Sequence, residues 1–540
     1  VSDTTGQTIK TPRVSGAWLA RSTLAAAMLT VALGAGGCRT NSDNIKHWAT
    51  TVQGPKKLVA VLTHDKYPPE LRVEAALALV RMKPRNGRRI GIDGSDDQPG
   101  LMASLTQMPP ATRATIVGRL VPALEAEILR QPPVPQAGQA TPPDPSVPYK
   151  DAAFALLTAD GGRLLSDAAL RQRLRAAIGR WISVNFAQRF DDSSQSYAVK
   201  QMVGELKSDA VKALPNLIQP GAPKIDALSE LIADNGDPAT KLAASQRLVA
   251  VASDVASENW IKQKSPGVEA ANKASKLAPT PEQFKAQMTQ YQEEELLRVF
   301  ASMKRIGGAP VVEFLLRLAQ DKTQNAKNRA GALAALQGNL DRTSVPQAQA
   351  VLAVAGEADT PDQVRDVALQ RAGEFPRAVV IERLYGLFAS ASWKVRWVAA
   401  ELVLKMSDTS QLPEFMDRIG KTEGMAITEP LRYGSLIAGM KGAAKPADVI
   451  EPYLGSSRPA PARLTALGYY YEKGTKGQIG KLSHLEGDRS KTPTCAKDAE
   501  GCEWKCEVEG EGKRETKDID TVGEFFNFCV KPAMEKRTAP

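Results

Sequence analysis

Few side chains in this sequence are placed to do chemistry. Five cysteines stand at Cys38, Cys495, Cys502, Cys506 and Cys529, the last four within fifty residues of one another. Four clustered thiols either form two disulfides in an oxidising compartment or hold a zinc ion. The gaps between them are six, three and twenty-two residues, without the paired CxxC form of a zinc ribbon, so disulfides are expected. Of the three possible pairings, nearness in sequence favours Cys495 with Cys502 and Cys506 with Cys529. The three histidines, His47, His64 and His484, are scattered, with no cysteine or carboxylate pair beside them. No GxSxG motif is present. Pro310-Val311-Val312 follows Gly307-Gly308 without the lysine of a phosphate loop. No catalytic residue, metal or cofactor is expected. Lys83, Arg85, Arg88 and Arg89 place four cations in seven residues, a loop that could face lipid headgroups. Trp393 and Trp397, one helical turn apart, could with Tyr469, Tyr470 and Tyr471 anchor a protein interface.

The elements that would position these groups begin with a leader. Lys10, Arg13 and Arg21 precede an apolar run, Leu24 to Leu33, which is shorter than the ~20 residues a bilayer span needs. The run ends in Ala35-Gly36-Gly37-Cys38. Gly34 to Cys38 resembles the lipobox of bacterial lipoproteins, with Ala35 where Leu is commoner. The resemblance implies removal of residues 1–37 and acylation of Cys38, hence a membrane held through a lipid anchor. Arg39 follows the cysteine in place of the aspartate that commonly signals inner-membrane retention. By the same resemblance, the destination tilts towards the outer membrane, with the body facing the periplasm. Lys10, Arg13 and Arg21 against Asp3 account for +2 of the formal +10, leaving +8 on the mature chain. That mild excess suits anionic headgroups or acidic partners and does not call for nucleic acid.

Self-similarity organises the rest. Asn328-Arg329-Ala330-Gly331-Ala332, Val364-Arg365-Asp366-Val367-Ala368, Val395-Arg396-Trp397-Val398-Ala399, Leu431-Arg432-Tyr433-Gly434-Ser435 and Ala462-Arg463-Leu464-Thr465-Ala466 each set a small residue three places after an arginine. The arginines are spaced 36, 31, 36 and 31 residues apart. Arg72 opens a further copy, and Lys241 a degenerate one. Asn325, Ser392, Thr428 and Asp237 stand four residues earlier as N-cap types, and Pro238, Pro430 and Pro461 suit a first turn. Each copy therefore reads as the second helix of a hairpin whose arginine head reaches a neighbouring repeat. One hairpin cannot bury its apolar stripe alone, and stacking does so.

The pattern resembles HEAT repeats, clearest over 308–473. The expected fold is all-α, an α-α superhelical solenoid of HEAT-like repeats with a small disulfide-bonded C-terminal cap containing β structure. Its segments are a lipoprotein signal peptide (1–37), N-terminal HEAT-like helices (38–131), a proline-rich linker (132–149), degenerate helical repeats (150–307), HEAT repeats (308–487) and a cysteine-rich cap (488–540). Glu503 to Val508 alternates as a strand, and Glu509 to Gly512 reads as a turn. The function this implies is a membrane-anchored scaffold that binds an unidentified protein of the cell envelope. The alternative is an envelope enzyme with a concealed site in 150–306. A DNA-repair reading would need a basic stripe and access to DNA, and export denies the access.

Overall fold

The computed structural model describes residues 40–85, 87–131, 143–192, 196–357, 359–493, 502–510 and 513–538. The leader, Cys38, Cys495 and most of the proline-rich stretch lie outside the described residues. The fold is all-α, a solenoid of helical hairpins with a small C-terminal cap that carries a β-hairpin and a disulfide. No described helix is long and apolar enough to cross a membrane. The chain forms two compact units, one ending at Ser104 and the other starting at Leu105.

In the first unit, helices Ser42–Trp48, Gly54–Thr63 and Pro69–Val80 pack on one another. Pro55 and Pro69 lie in the first turns of their helices, where the missing amide proton costs nothing. Ala75, Ala76, Leu79 and Val80 are buried and form the apolar face of the third helix.

The second unit opens with helices Pro110–Ile128, Val147–Thr158 and Ala168–Ser183. A long polar hairpin, Glu258–Ala274 and Pro281–Ile306, precedes the regular repeats. A reciprocal capping box between Thr280 and Gln283 sets the start of its second helix. Five hairpins follow: Ala309–Gln320 with Ala326–Ala335, Val345–Gly356 with Asp362–Ala372, Arg377–Gly386 with Trp393–Lys405, Leu412–Ile419 with Thr428–Ala438, and Pro446–Ile450 with Ala460–Lys473. Each second helix packs on the second helix of the next repeat, and the first helices of repeats one to three do the same. Small residues permit the closest approach. A Cβ added at Gly468 would lie 1.9 Å from the Pro430 carbonyl oxygen, and one at Gly434 would lie 2.0 Å from the Gly468 carbonyl carbon.

Helix starts follow the expected caps only in part. Asn325 and Asp237 accept from the amides of Asn328 and Thr240 at 2.8 and 2.7 Å. Ser392 holds the cap position without a side-chain cap bond, and Thr428 is already helical, with Ile427 at the cap.

The C-terminal segment closes the last repeat. Strands Lys505–Gly510 and Lys513–Asp518 pair antiparallel, with Cys506 opposite Lys517. Cys506 and Cys529 are joined. Cys502 is also disulfide-bonded. Its expected partner, Cys495, lies outside the described residues. Thr521 and Glu524 form a capping box that starts a short helix, and a π-helical turn, Phe526–Val530, follows. Phe525, Phe526, Val530 and Met534 are buried, and this segment packs on helix Ala460–Lys473. The Trp504 indole donates to the Met425 carbonyl at 2.8 Å, tying the cap to repeat four. The segment is thus a lid on the apolar end of the stack.

Candidate protein-binding surface

Arg72, Arg329, Arg365, Arg396 and Arg463 are all buried, and each is the fourth residue of its helix. The Nε of Arg72 donates to the Leu62 carbonyl at 2.7 Å, that of Arg329 to Ala319 at 2.9 Å and that of Arg365 to Ala355 at 3.2 Å. In all three the acceptor lies ten residues back, in the last turn of the hairpin's own first helix. Those carbonyls have no intrahelical partner and carry the negative end of the helix dipole, so a guanidinium satisfies both. Among the described residues, the hydrogen bonds of Arg72, Arg329 and Arg365 stay within their own hairpin and lock it, where the expectation had these heads reaching a neighbouring repeat.

Arg396 and Arg463 do reach onward. Arg396 lies at 3.2 and 2.9 Å from the two carboxylate oxygens of Glu429 in repeat four, and also donates to the Ser390 and Ala391 carbonyls. Glu429 is fully buried and accepts further bonds from the Ala426 amide at 2.7 Å and the Tyr433 hydroxyl at 3.1 Å. Burial raises the Glu429 carboxyl above its ordinary value, against the pull of Arg396. Burial and the adjacent Glu429 charge also hold the Tyr433 hydroxyl well above its own. Arg463 pairs with Asp488 at the root of the cap. Neither acidic partner was singled out in the sequence.

Arg432 departs from the ladder. Its helix begins at Thr428, so Arg432 is the fifth helical residue, and Leu431 takes the fourth place. One residue is a rotation of about 100°, which turns Arg432 out to solvent. There its guanidinium lies 5.6 Å from the centre of the Trp397 ring, within the reach of a cation–π contact. Trp397 in turn stacks on Trp393, with centroids 6.2 Å apart and planes 29° apart. Both tryptophans are half-buried. The Trp397 Nε1 is enclosed and finds no acceptor among the described residues, a state shared with Trp260. The Trp181 and Trp504 indoles, by contrast, donate to Ser146 and Met425. Two tryptophans and an arginine thus form one ridge across repeats three and four. Tyr470 is core and Tyr469 and Tyr471 are half-buried.

The basic loop separates into different roles. Arg88 pairs with Asp96 at 3.0 Å, and Arg89 grips both oxygens of Asp93, each at 3.0 Å. Arg85 donates to the Thr51 and Val52 carbonyls. Of the four, only Lys83 is without such an anchor among the described residues, so the loop is not a row of four free cations.

Within 150–306, the strongest constellation is buried. Lys150 lies 2.6 Å from Asp151 and donates to the Tyr197 carbonyl at 3.2 Å. Lys150 and Arg189 approach the Trp181 ring at 4.9 and 4.2 Å. Arg189 holds Asp144 at 2.6 Å. Burial would raise the Asp144 carboxyl, but its bonds from Ser146 and the Arg189 charge outweigh this and leave it below the ordinary value. Burial lowers Arg189, against the pull of Asp144. Lys150, Asp151, Trp181 and Arg189 are all buried, and the network fastens three helices. The three histidines are exposed. Among the described residues, no group of three His, Cys, Asp or Glu side chains is placed to hold a metal.

Comparison with known families finds no match, and neither does comparison with curated proteins. Among solved structures, a crystal structure of a Kap121p mutant is similar, with 12% identity over 84% of this chain and a TM-score of 0.27. The alignment spans 44% of that chain.

Proposed function

We propose that this chain is a lipid-anchored scaffold of the cell envelope that holds another envelope protein against the ridge of Trp393, Trp397 and Arg432. The ridge carries the binding part of this reading. Tryptophan and arginine are the residues most enriched where truncation costs an interface most. Here they lie side by side on consecutive repeats, partly open to solvent. Anchoring rests on the leader and on Cys38. The Cys506–Cys529 bond accords with an oxidising compartment.

A photoreactive residue at the exposed Ser435, on the helix that carries Arg432, tests the binding part in intact cells. One discrete protein adduct is expected at Ser435, lost when Trp397→Ala is added, with none from a probe at the exposed Thr289. Absence of an adduct at Ser435, or an adduct indifferent to Trp397→Ala, refutes the ridge as the binding surface.

A further inference from the structure

The first unit contains a cleft of about 540 Å³ between the end of helix Ser42–Trp48 and the segment that follows helix Pro69–Val80. Lys46, Arg81, Lys83 and Arg85 line it, buried Met82 contributes apolar surface, and none of its lining residues among the described ones is acidic. The four cations have different tasks. Arg85 is occupied by the Thr51 and Val52 carbonyls and serves as a wall. Among the described residues, Lys46 has only a loose contact with Asp43 at 3.9 Å, between side chains 65% and 87% exposed. Arg81 and Lys83 are exposed and have no carboxylate partner among the described residues. Three solvated cations around an apolar patch in one concavity repel one another unless an anion sits among them.

We propose that this cleft binds a phosphate-bearing anion, with Lys46, Arg81 and Lys83 on its oxygens and Met82 against its carbon skeleton. The favoured source is the headgroup of an anionic phospholipid, and this source rests on the anchored reading of Cys38. Cys38 precedes helix Ser42–Trp48 by four residues, which reach at most about 14 Å when extended. That helix adds about 10 Å more. An acylated Cys38 would keep the cleft within a short tether of the membrane surface. The cleft replaces the linear basic loop as the lipid-facing element: Arg88 and Arg89 drop out, and Lys46 and Arg81 enter.

The test uses the chain from residue 38 onward with Cys38→Ala, which contains every described element and carries no acyl chain. Binding is measured to vesicles of phosphatidylglycerol in phosphatidylcholine, to phosphatidylcholine alone, and to inorganic phosphate. Selective binding to the phosphatidylglycerol vesicles is expected, reduced about fivefold by Arg81→Gln and again by Lys83→Gln. Arg88→Gln, whose cation already faces Asp96, changes it by less than about twofold. Saturable phosphate binding that depends on Arg81 and Lys83, without vesicle binding, supports the site and assigns it a soluble phosphate. The proposal falls if Arg88→Gln costs as much as Arg81→Gln. It also falls if Arg81→Gln with Lys83→Gln leaves both binding arms unchanged. The mass of the Cys38 peptide from the natural chain reports the anchored reading separately, so failure of one is not mistaken for failure of the other.

Discussion

Replacing Arg396 by methionine keeps the apolar stem and removes the charge that faces Glu429. The carboxylate then stays at 0% exposure with two donors, the Ala426 amide and the Tyr433 hydroxyl, where it had four. Leaving a buried charge without its counterion costs about 3–5 kcal/mol, a large share of the roughly 5–15 kcal/mol that holds a domain together. Glu429→Gln is milder, about 1–3 kcal/mol, because Arg396 retains the Ser390 and Ala391 carbonyls. The double variant falls short of the sum by about 1–3 kcal/mol, the coupling expected of groups in direct contact. Urea unfolding of the four chains measures this cycle, and amide exchange in helices Trp393–Lys405 and Thr428–Ala438 localises the loss. Acidity adds a sign. The folded-state carboxyl of Glu429 titrates above its ordinary value, so its contribution is fullest below the unfolded value and is lost as pH rises through the folded one. Lowering the pH towards the ordinary glutamate value should therefore relieve part of the Arg396→Met defect. Single variants that each cost under about 1 kcal/mol and add without coupling would refute the pair as the tie between repeats three and four.

Gly468→Ala should destabilise by about 1–3 kcal/mol or more, because its Cβ would overlap the Pro430 carbonyl. Thermal unfolding reads this against Gly480→Ala, where the added carbon meets nothing within 4 Å. Asp144→Asn acts on a carboxyl held below its ordinary value, whose contribution is present above the unfolded value and lost as pH falls through the folded one. That variant should flatten the acid limb of a stability–pH curve, and an unchanged limb would count against the Asp144–Arg189 pair. Cys506→Ser should cost about 3 kcal/mol, since the bond closes a loop between residues 23 apart. The expected sign is faster proteolysis of the cap while the repeats stay protected. Trp397→Ala should weaken partner binding by about 2 kcal/mol or more, measured once the Ser435 adduct identifies the partner.

The hairpins were legible because their determinants are local. Asn325 and Asp237 cap their helices, prolines fill first turns, and a basic residue followed by a small one recurs at the buried fourth position. Arg432 was misread for an equally local reason. Its pentapeptide fits the pattern, but its helix starts one residue early, and one residue of phase exchanges the buried face for the exposed one. The carboxylates that meet Arg396 and Arg463 were not legible, since Glu429 and Asp488 lie 33 and 25 residues away, across a repeat boundary or in the cap. The basic loop offered a missed clue. Asp93 follows Arg89 by four residues and Asp96 follows Arg88 by eight, so acids able to neutralise both were already in view. Lys46 joins Arg81 and Lys83 only after the helices fold together, which no linear run of charge announces.

Mass spectrometry of the N-terminal peptide, taken from a membrane fraction, tests the anchored scaffold most directly. Cys38 is expected as the first residue and to carry acyl groups, with a Cys38→Ala chain no longer held in the membrane fraction. A free thiol at Cys38, inside an uncleaved chain recovered from the cytosol, would contradict it.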